Sequence, residues 1–279
     1  MPLRALLLIL TAAFAHSAWN LLAKRASRHK HLIWFSSAGE VILFLPLAIW
    51  FGIESWPHIT GLAVLFLIAT GVIHVWYTET LLRGYRSGDL SVVYPLARGT
   101  GPLLSFMGAI VFLHERPSAL AAAGALLVAG GILLVSGIRR GAGLFWGLAT
   151  GLSIACYTLV DGYSVRILLL SPVIVDYAGN LFRTIVLTPK AWNERDLLKH
   201  QFRQCWKEAL GISILTPGGY ILVLFAMTIA PVSHVAPARE MSMMIGAWFG
   251  ARVLQEGHLA RRMTGSALIA AGVAGLTLG

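Results

Sequence analysis

The chain has 279 residues, of which 57% are hydrophobic and 12% charged, and it carries a net charge of +10 with a mean hydropathy of +0.75. Soluble domains run near 45–50% apolar and about 25% charged, so this composition excludes a soluble enzyme or binding module and describes an integral membrane protein. The basic residues gather at the ends of apolar runs, where they meet lipid headgroups; they do not form a nucleic-acid surface.

A spanning helix needs about 20 apolar residues, and ten such runs are expected near 3–23, 32–52, 60–82, 90–113, 118–138, 143–165, 172–189, 208–229, 232–253 and 262–278. Arg4, the apolar run Ala5–Leu10 and the small residues near Ala15 and Ala18 look like a signal peptide, but spanning runs continue to Leu278, so this is a first span. It carries His16, Trp19 and Asn20, within about a turn of one another on one helix face. The second span holds Glu40 near its middle, with no basic residue within a turn in sequence, and the third holds His74 and Glu79. In the fourth, Arg98 lies between Pro95 and Pro102, one turn after Tyr94. Proline removes a backbone donor, so a bend or break is expected beside the arginine.

The fifth span is rich in Gly and Ala over Ala121–Gly131, as is the tenth over Gly265–Gly275, compositions that allow close helix contact. The sixth carries Tyr157 and, near its end, Asp161, which either caps, snorkels or takes part in function. Asp176 and Arg183 share the seventh. After it, Arg195, Lys199, Arg203 and Lys207 recur every four residues beside Leu198, Phe202 and Trp206, the pattern of a basic amphipathic helix on an anionic leaflet. The ninth carries His234, then Arg239 and Glu240 just after Pro237, where a second break is expected. Turn and charge signals separate the spans at Pro57, Arg86–Asp89, Arg116–Pro117, Arg139–Gly143, Ser171–Pro172 and Arg261–Arg262.

Two segments repeat each other. YPLARGTGPLLSFMGAIVFLHER begins at Tyr94 and VAPAREMSMMIGAWFGARVLQEG at Val235; Arg98/Arg239, Leu113/Leu254, Glu115/Glu256, Gly124/Gly265 and Gly131/Gly272 keep one offset of 141 residues. Trp19, Asn20 and Leu21 echo Tyr157, Thr158 and Leu159 more weakly. Five spans per half is odd, so the second copy enters from the opposite side. The expected fold is all-α: ten transmembrane helices as two inverted five-helix repeats, 1–140 and 141–279, in one compact membrane domain. Matched charges in duplicated membrane units are the signature of a secondary transporter.

An Arg, Lys or Asp at bilayer depth costs at least about 2.5–3.5 kcal/mol and needs a reason. Arg98 and Arg239 are candidate substrate-binding residues; the alternative is a structural pair, Arg239 with Glu240 or Arg98 with Glu79. His16, Trp19, Asn20, Tyr94 and Tyr157 are candidates to shape the cavity, through hydrogen bonds or cation–π contact. Glu40, Glu79, Asp176 and Glu240 are candidates for coupling or gating, Glu40 foremost. No metal, cofactor or catalytic nucleophile pattern is present, Cys156 and Cys205 included.

AHSAWNLLAK in the first span, YPLARGTGP in the fourth, HER closing it and YTLVDGYSVR in the sixth resemble the EamA-type transporters of the drug/metabolite transporter superfamily. The resemblance implies an exporter or exchanger of small metabolites, working by alternating access around a central cavity between the halves. Glu115 and Glu256 match that family's helix-end glutamate. The first-span glutamate of its small four-helix multidrug members is missing, so their exchange mechanism does not carry over.

The expected substrate is a small anionic or zwitterionic metabolite, such as an amino acid or related organic acid. Rival readings are a flippase for a lipid-linked substrate and an integral-membrane enzyme acting on lipid. Membrane lipid, and protons or a counter-substrate, are the other expected partners of a chain that works as a monomer or weak dimer in the inner (plasma) membrane. Loops after odd-numbered spans carry fifteen basic residues and the other loops three, Arg4, Arg116 and Arg166. The positive-inside rule puts both termini outside; resemblance to most ten-helix relatives puts them in the cytoplasm.

Overall fold

Hydrocarbon offers backbone N–H and C=O groups no water, so apolar segments of spanning length satisfy them internally as α-helices. A computed structural model describes residues 1–26, 28–87, 90–136, 143–245 and 259–279, with backbone alone at 24, 85–87, 90–92, 94–95, 135–136 and 259–262. Among the described residues there is no strand. The helices are α1 (Leu3–Ala26), α2 (Leu32–Ser55), α3 (Gly61–Ser87), α4 (Leu90–Phe112), α5 (Ala119–Ser136), α6 (Leu144–Arg166), α7 (Pro172–Asn193), α8 (Arg195–Ile229), α9 (Val232–Ala238) and α10 (Leu259–Leu278), with a 3-10 turn over Trp56–His58.

Among the described residues, five segments are long and apolar enough to cross a membrane: Leu3–Ala23, Leu32–His58, Gly61–Gly84, Leu144–Arg166 and Arg195–Ile229. Leu96–Phe112, Ala119–Leu134 and Met263–Leu278 are shorter apolar segments of the same kind. Large side chains such as Phe14, Ile42, Trp50, Val111, Phe112 and Phe145 point outward. A water-facing monomer does not carry apolar surface on that scale; a multi-pass membrane protein presents it to lipid.

Three details differ from expectation. The basic segment after the seventh span is not separate from the eighth: α8 runs through both, kinked at Cys205 (φ −128°, ψ 18°). Cys205, which falls between the seventh and eighth spans expected from sequence, is buried within this helix. Helix α4 continues unbroken past Pro95 and Pro102, since neighbouring elements can re-satisfy the carbonyls that proline frees in a packed membrane helix. The ninth run does break. Helix α9 stops at Ala238, Arg239 and Glu240 form a turn, and residues 241–245 are helical again. Across that turn the backbone bonds tighten to three-residue steps, Glu240 N–H to Pro237 O at 3.1 Å and Met243 N–H to Glu240 O at 2.8 Å.

The helices pack in pairs. α1 lies on α8 and α6 on α3, α2 touches α7 and α8, α7 touches α2 and α3, and α5 lies along α10. The α5–α10 contact needs glycine. A Cβ on Gly124 would sit 2.6 Å from the Gly272 carbonyl oxygen, and one on Gly131 2.6 Å from that of Gly265. Ile9, Ile132, Ile154, Leu224, Met227 and Ile269 are fully buried where these elements meet.

Each end of the bundle is tied. At one end Lys30 Nζ and His31 Nε2 reach Glu194 at 2.7 and 2.8 Å, and the His31 N–H donates to Gln201 Oε1 at 3.2 Å. The Lys30 hydrogen bond holds the Glu194 carboxyl below the usual carboxylate range. At the other end Glu115 accepts from the backbone N–H of Val232 (2.8 Å) and Ser233 (2.9 Å) and pairs with Arg166 at 2.7 Å. Its expected partner in the repeat, Glu256, lies outside the described residues, as do Leu254, Arg139 and Arg140.

Candidate functional site

The turn at residues 239–240 carries the charges of the ninth run into the middle of the bundle. Glu240 is enclosed, its side chain 1% exposed, between two guanidinium groups: Arg98 Nη2 lies 3.0 Å from Oε2, and Arg239 Nε 3.4 Å from Oε1. Arg98 Nη2 also donates to Ser242 Oγ at 3.1 Å. Ser17 Oγ donates to the Ser242 carbonyl oxygen at 2.9 Å, which fixes α1 against the break. Neither structural pairing weighed from sequence describes this arrangement fully. Arg239 does meet Glu240, but Arg98 reaches across to the same carboxylate and the set is a triad.

His16 and Ala13 of α1, Arg98 of α4, Tyr220 and Val223 of α8, and Arg239 line a small cavity beside the triad. Its free space suits about one water molecule. Arg239 is 8% exposed, and its Nη2 has no hydrogen-bond partner among the described residues. Its guanidinium carbon stands 5.7 Å from the centre of the Tyr157 ring, within cation–π range.

An aromatic cluster continues from there. His74 stacks on Tyr157 with ring centroids 4.5 Å apart and meets Tyr220 edge-on at 5.9 Å; its Nδ1 lies 2.9 Å from the Thr70 carbonyl oxygen. Tyr220 donates to Asp161 Oδ2 at 2.5 Å. Asp161 neither caps nor snorkels: it is fully buried, and its Oδ1 has no hydrogen-bond partner among the described residues.

A second polar cluster joins α2 to α7. Asn180 Nδ2 donates to Glu40 Oε1 and lies 3.1 Å from the Asp176 carbonyl oxygen. The same nitrogen lies 3.4 Å from Asp176 Oδ1, so one amide bridges the Glu40 and Asp176 carboxyls. Tyr177 Oη donates to the Val41 carbonyl oxygen at 3.2 Å. His74 separates the two clusters: its ring packs against Gly179, between Asp176 and Asn180 on α7.

Of the residues singled out from sequence, Arg98, Arg239, Glu240, His16 and Tyr157 come together, and Glu40 meets Asp176. Trp19 touches His16 edge-on at 5.5 Å but packs into the cluster of Ala26, Phe35 and Cys205. Asn20 spends its amide on the His16 carbonyl oxygen at 2.7 Å. Glu79 pairs with Arg83 at 2.7 Å on an exposed face of α3, apart from both clusters. Tyr94 belongs to α4, its side chain outside the described atoms. Asn180, Tyr220 and Ser242 were missed, being neutral residues with no local pattern to mark them.

Comparison with known proteins bears on this arrangement. The model of the EamA-like transporter family matches residues 3–137. The matched stretch, just under half of the chain, is similar to that family. EamA proteins fall within the drug/metabolite transporter superfamily, whose members are generally transporters and not enzymes. No curated protein matches the chain. Solved structures do, in 28 chains. One, described only as the crystal structure of a protein, superposes with a TM-score of 0.76 at 15% identity, covering 98% of this chain and 96% of that one. The likeness is one of fold. The matched stretch supplies Arg98 and Glu40; Glu240, Arg239 and Asp176 come from beyond it.

Proposed function

We propose that the chain is a secondary transporter of a small metabolite bearing an acid group, built as ten spans in two inverted halves, 1–140 and 141–279. The observation that carries the reading is the triad. Two arginines, one from each half, converge on a buried cavity at a helix break, and Arg239 holds a donor there with no partner. Membrane carriers build substrate sites at such breaks, between repeats. In this reading Arg98 and Arg239 grip the acid group, and His16, Tyr157 and Tyr220 close around the rest.

The inverted repeat draws support from the α5–α10 contact. Gly124 opposes Gly272 and Gly131 opposes Gly265, while the sequence repeat equates Gly124 with Gly265 and Gly131 with Gly272. Such an exchange of partners is what a two-fold axis imposes. The Glu40–Asp176 pair, joining both halves through the Asn180 amide, serves as the proton-coupling site. The ties at Glu194 and at Glu115 close the two ends, and alternating access opens one at a time. The carrier acts in the inner (plasma) membrane.

The test is counterflow into proteoliposomes carrying the purified protein, screened with amino acids, organic acids, phosphonates and cationic drugs. Uptake of acids that Arg98→Gln and Arg239→Gln both abolish is expected. Selective uptake of cations, or of acids at unchanged rate in both variants, overturns the reading.

A further inference from the structure

The triad has a feature that an acid-binding site does not need: a carboxylate of its own, already between the two arginines. We propose that Glu240 is a resident stand-in for the substrate's acid group, that this group is a carboxylate, and that the substrate binds by displacing Glu240 from the guanidinium groups. The inference rests on the transporter reading and names the substrate class for it.

Geometry supports the exchange. Glu240 offers two oxygens to donors on opposite halves, one at 3.0 Å and the other at 3.4 Å, so the slot is cut for a flat two-oxygen group. The fit is imperfect. Neither Glu240 oxygen makes a well-aligned hydrogen bond, and Arg239 Nη2 lacks a partner although it is buried at the cavity wall. A carboxylate tethered at Glu240 cannot turn to satisfy both forks, whereas a free one can take up the bidentate geometry that guanidinium favours. The cavity beside the two arginines suits only about a water molecule, too little for an incoming carboxylate while Glu240 stays between the guanidinium groups. Glu240 also sits on the turn between α9 and the helix resuming at 241, where its side chain can swing away without unwinding a regular helix. A stand-in of this kind keeps the arginines neutralised while the carrier is empty, which lipid demands of buried charge.

The test uses the purified protein and needs no knowledge of the substrate. Glu240→Ala should lower the melting temperature, and sodium formate at about 100 mM should restore it by about 3 °C or more beyond sodium chloride of equal ionic strength. Methylphosphonate, tetrahedral and more highly charged, should restore less. Wild-type protein, its slot filled, should gain less from formate than the variant does. If the alanine variant does not fold, Glu240→Ser takes its place, keeping a hydroxyl beside Arg98. If neither folds alone, recovery of folded protein on extraction in formate counts for the proposal and its failure against. No formate effect beyond chloride, or a larger effect of methylphosphonate, overturns it. The transporter reading would survive that result as long as the arginine variants still lose transport.

Discussion

Arg98 and Arg239 bear on one carboxylate from opposite halves, so each should matter for function more than for insertion. A hydrogen bond to a charged group contributes about 1.5–3 kcal/mol, about 10- to 100-fold in binding for each one lost. Arg98→Gln and Arg239→Gln should lower transport by at least that factor while the protein stays monodisperse on size exclusion. Lysine should rescue poorly, because an ammonium cannot replace a planar fork that reaches both Glu240 and Ser242. Glu40 gives the second prediction at this scale. If its proton couples transport, Glu40→Gln should abolish accumulation driven by a pH gradient while exchange of substrate for substrate continues. Accumulation at the wild-type level would make the Glu40–Asn180–Asp176 cluster a structural joint. The arginines could be found from sequence because charge at bilayer depth is conspicuous. Their partner could not. Glu240 rather than Glu79 meets Arg98 because the ninth run breaks and turns inward, a tertiary outcome that spacing does not encode.

Among the elements, α5 and α10 were legible as small-residue helices, but which glycines touch is a property of the crossing. Gly124 and Gly131 face backbone, whereas a Cβ on Gly130 meets nothing within 4 Å. Gly124→Leu should therefore lower stability by about 1–3 kcal/mol or more, as forced overpacking does, and Gly130→Leu should be nearly silent. Thermal unfolding in detergent separates the two, and equal effects would mean that α5 and α10 do not meet through Gly124. Helix α8 shows the opposite limit of reading by segment. The amphipathic period of 195–207 and the apolar run after it were both visible, yet their fusion through the Cys205 kink was not, since the intervening residues are compatible with helix or loop. At α4 the break that proline allows does not occur. Pro95 and Pro102 are real helix breakers in water, but in a membrane bundle the neighbouring helices hold the backbone in place.

At the scale of the whole molecule, the two end ties sort the loops into two faces. Lys30 and His31, after α1, meet Glu194 and Gln201, around the start of α8. Glu115, after α4, meets Arg166 at the end of α6 and the start of α9. The first face carries Arg28, Lys30, Arg195, Lys199 and Arg203, and the exposed Trp192, Phe202 and Trp206 lie among them, as an interfacial helix requires. Fifteen basic residues against three is a large asymmetry for short loops, where the positive-inside rule is most dependable. Attraction of about 1 kcal/mol per basic residue to an anionic leaflet adds to it. This face should therefore lie in the cytoplasm and the termini outside, against the orientation implied by resemblance to most ten-helix relatives. Both Arg28 and Lys199 are exposed, so single cysteines there, in a background lacking Cys156 and Cys205, report the answer directly. They should resist impermeant thiol reagents in intact cells and react in inverted vesicles. Labelling of both from outside would put the termini in the cytoplasm, and the end closed by Glu115 would then be the one that opens inward.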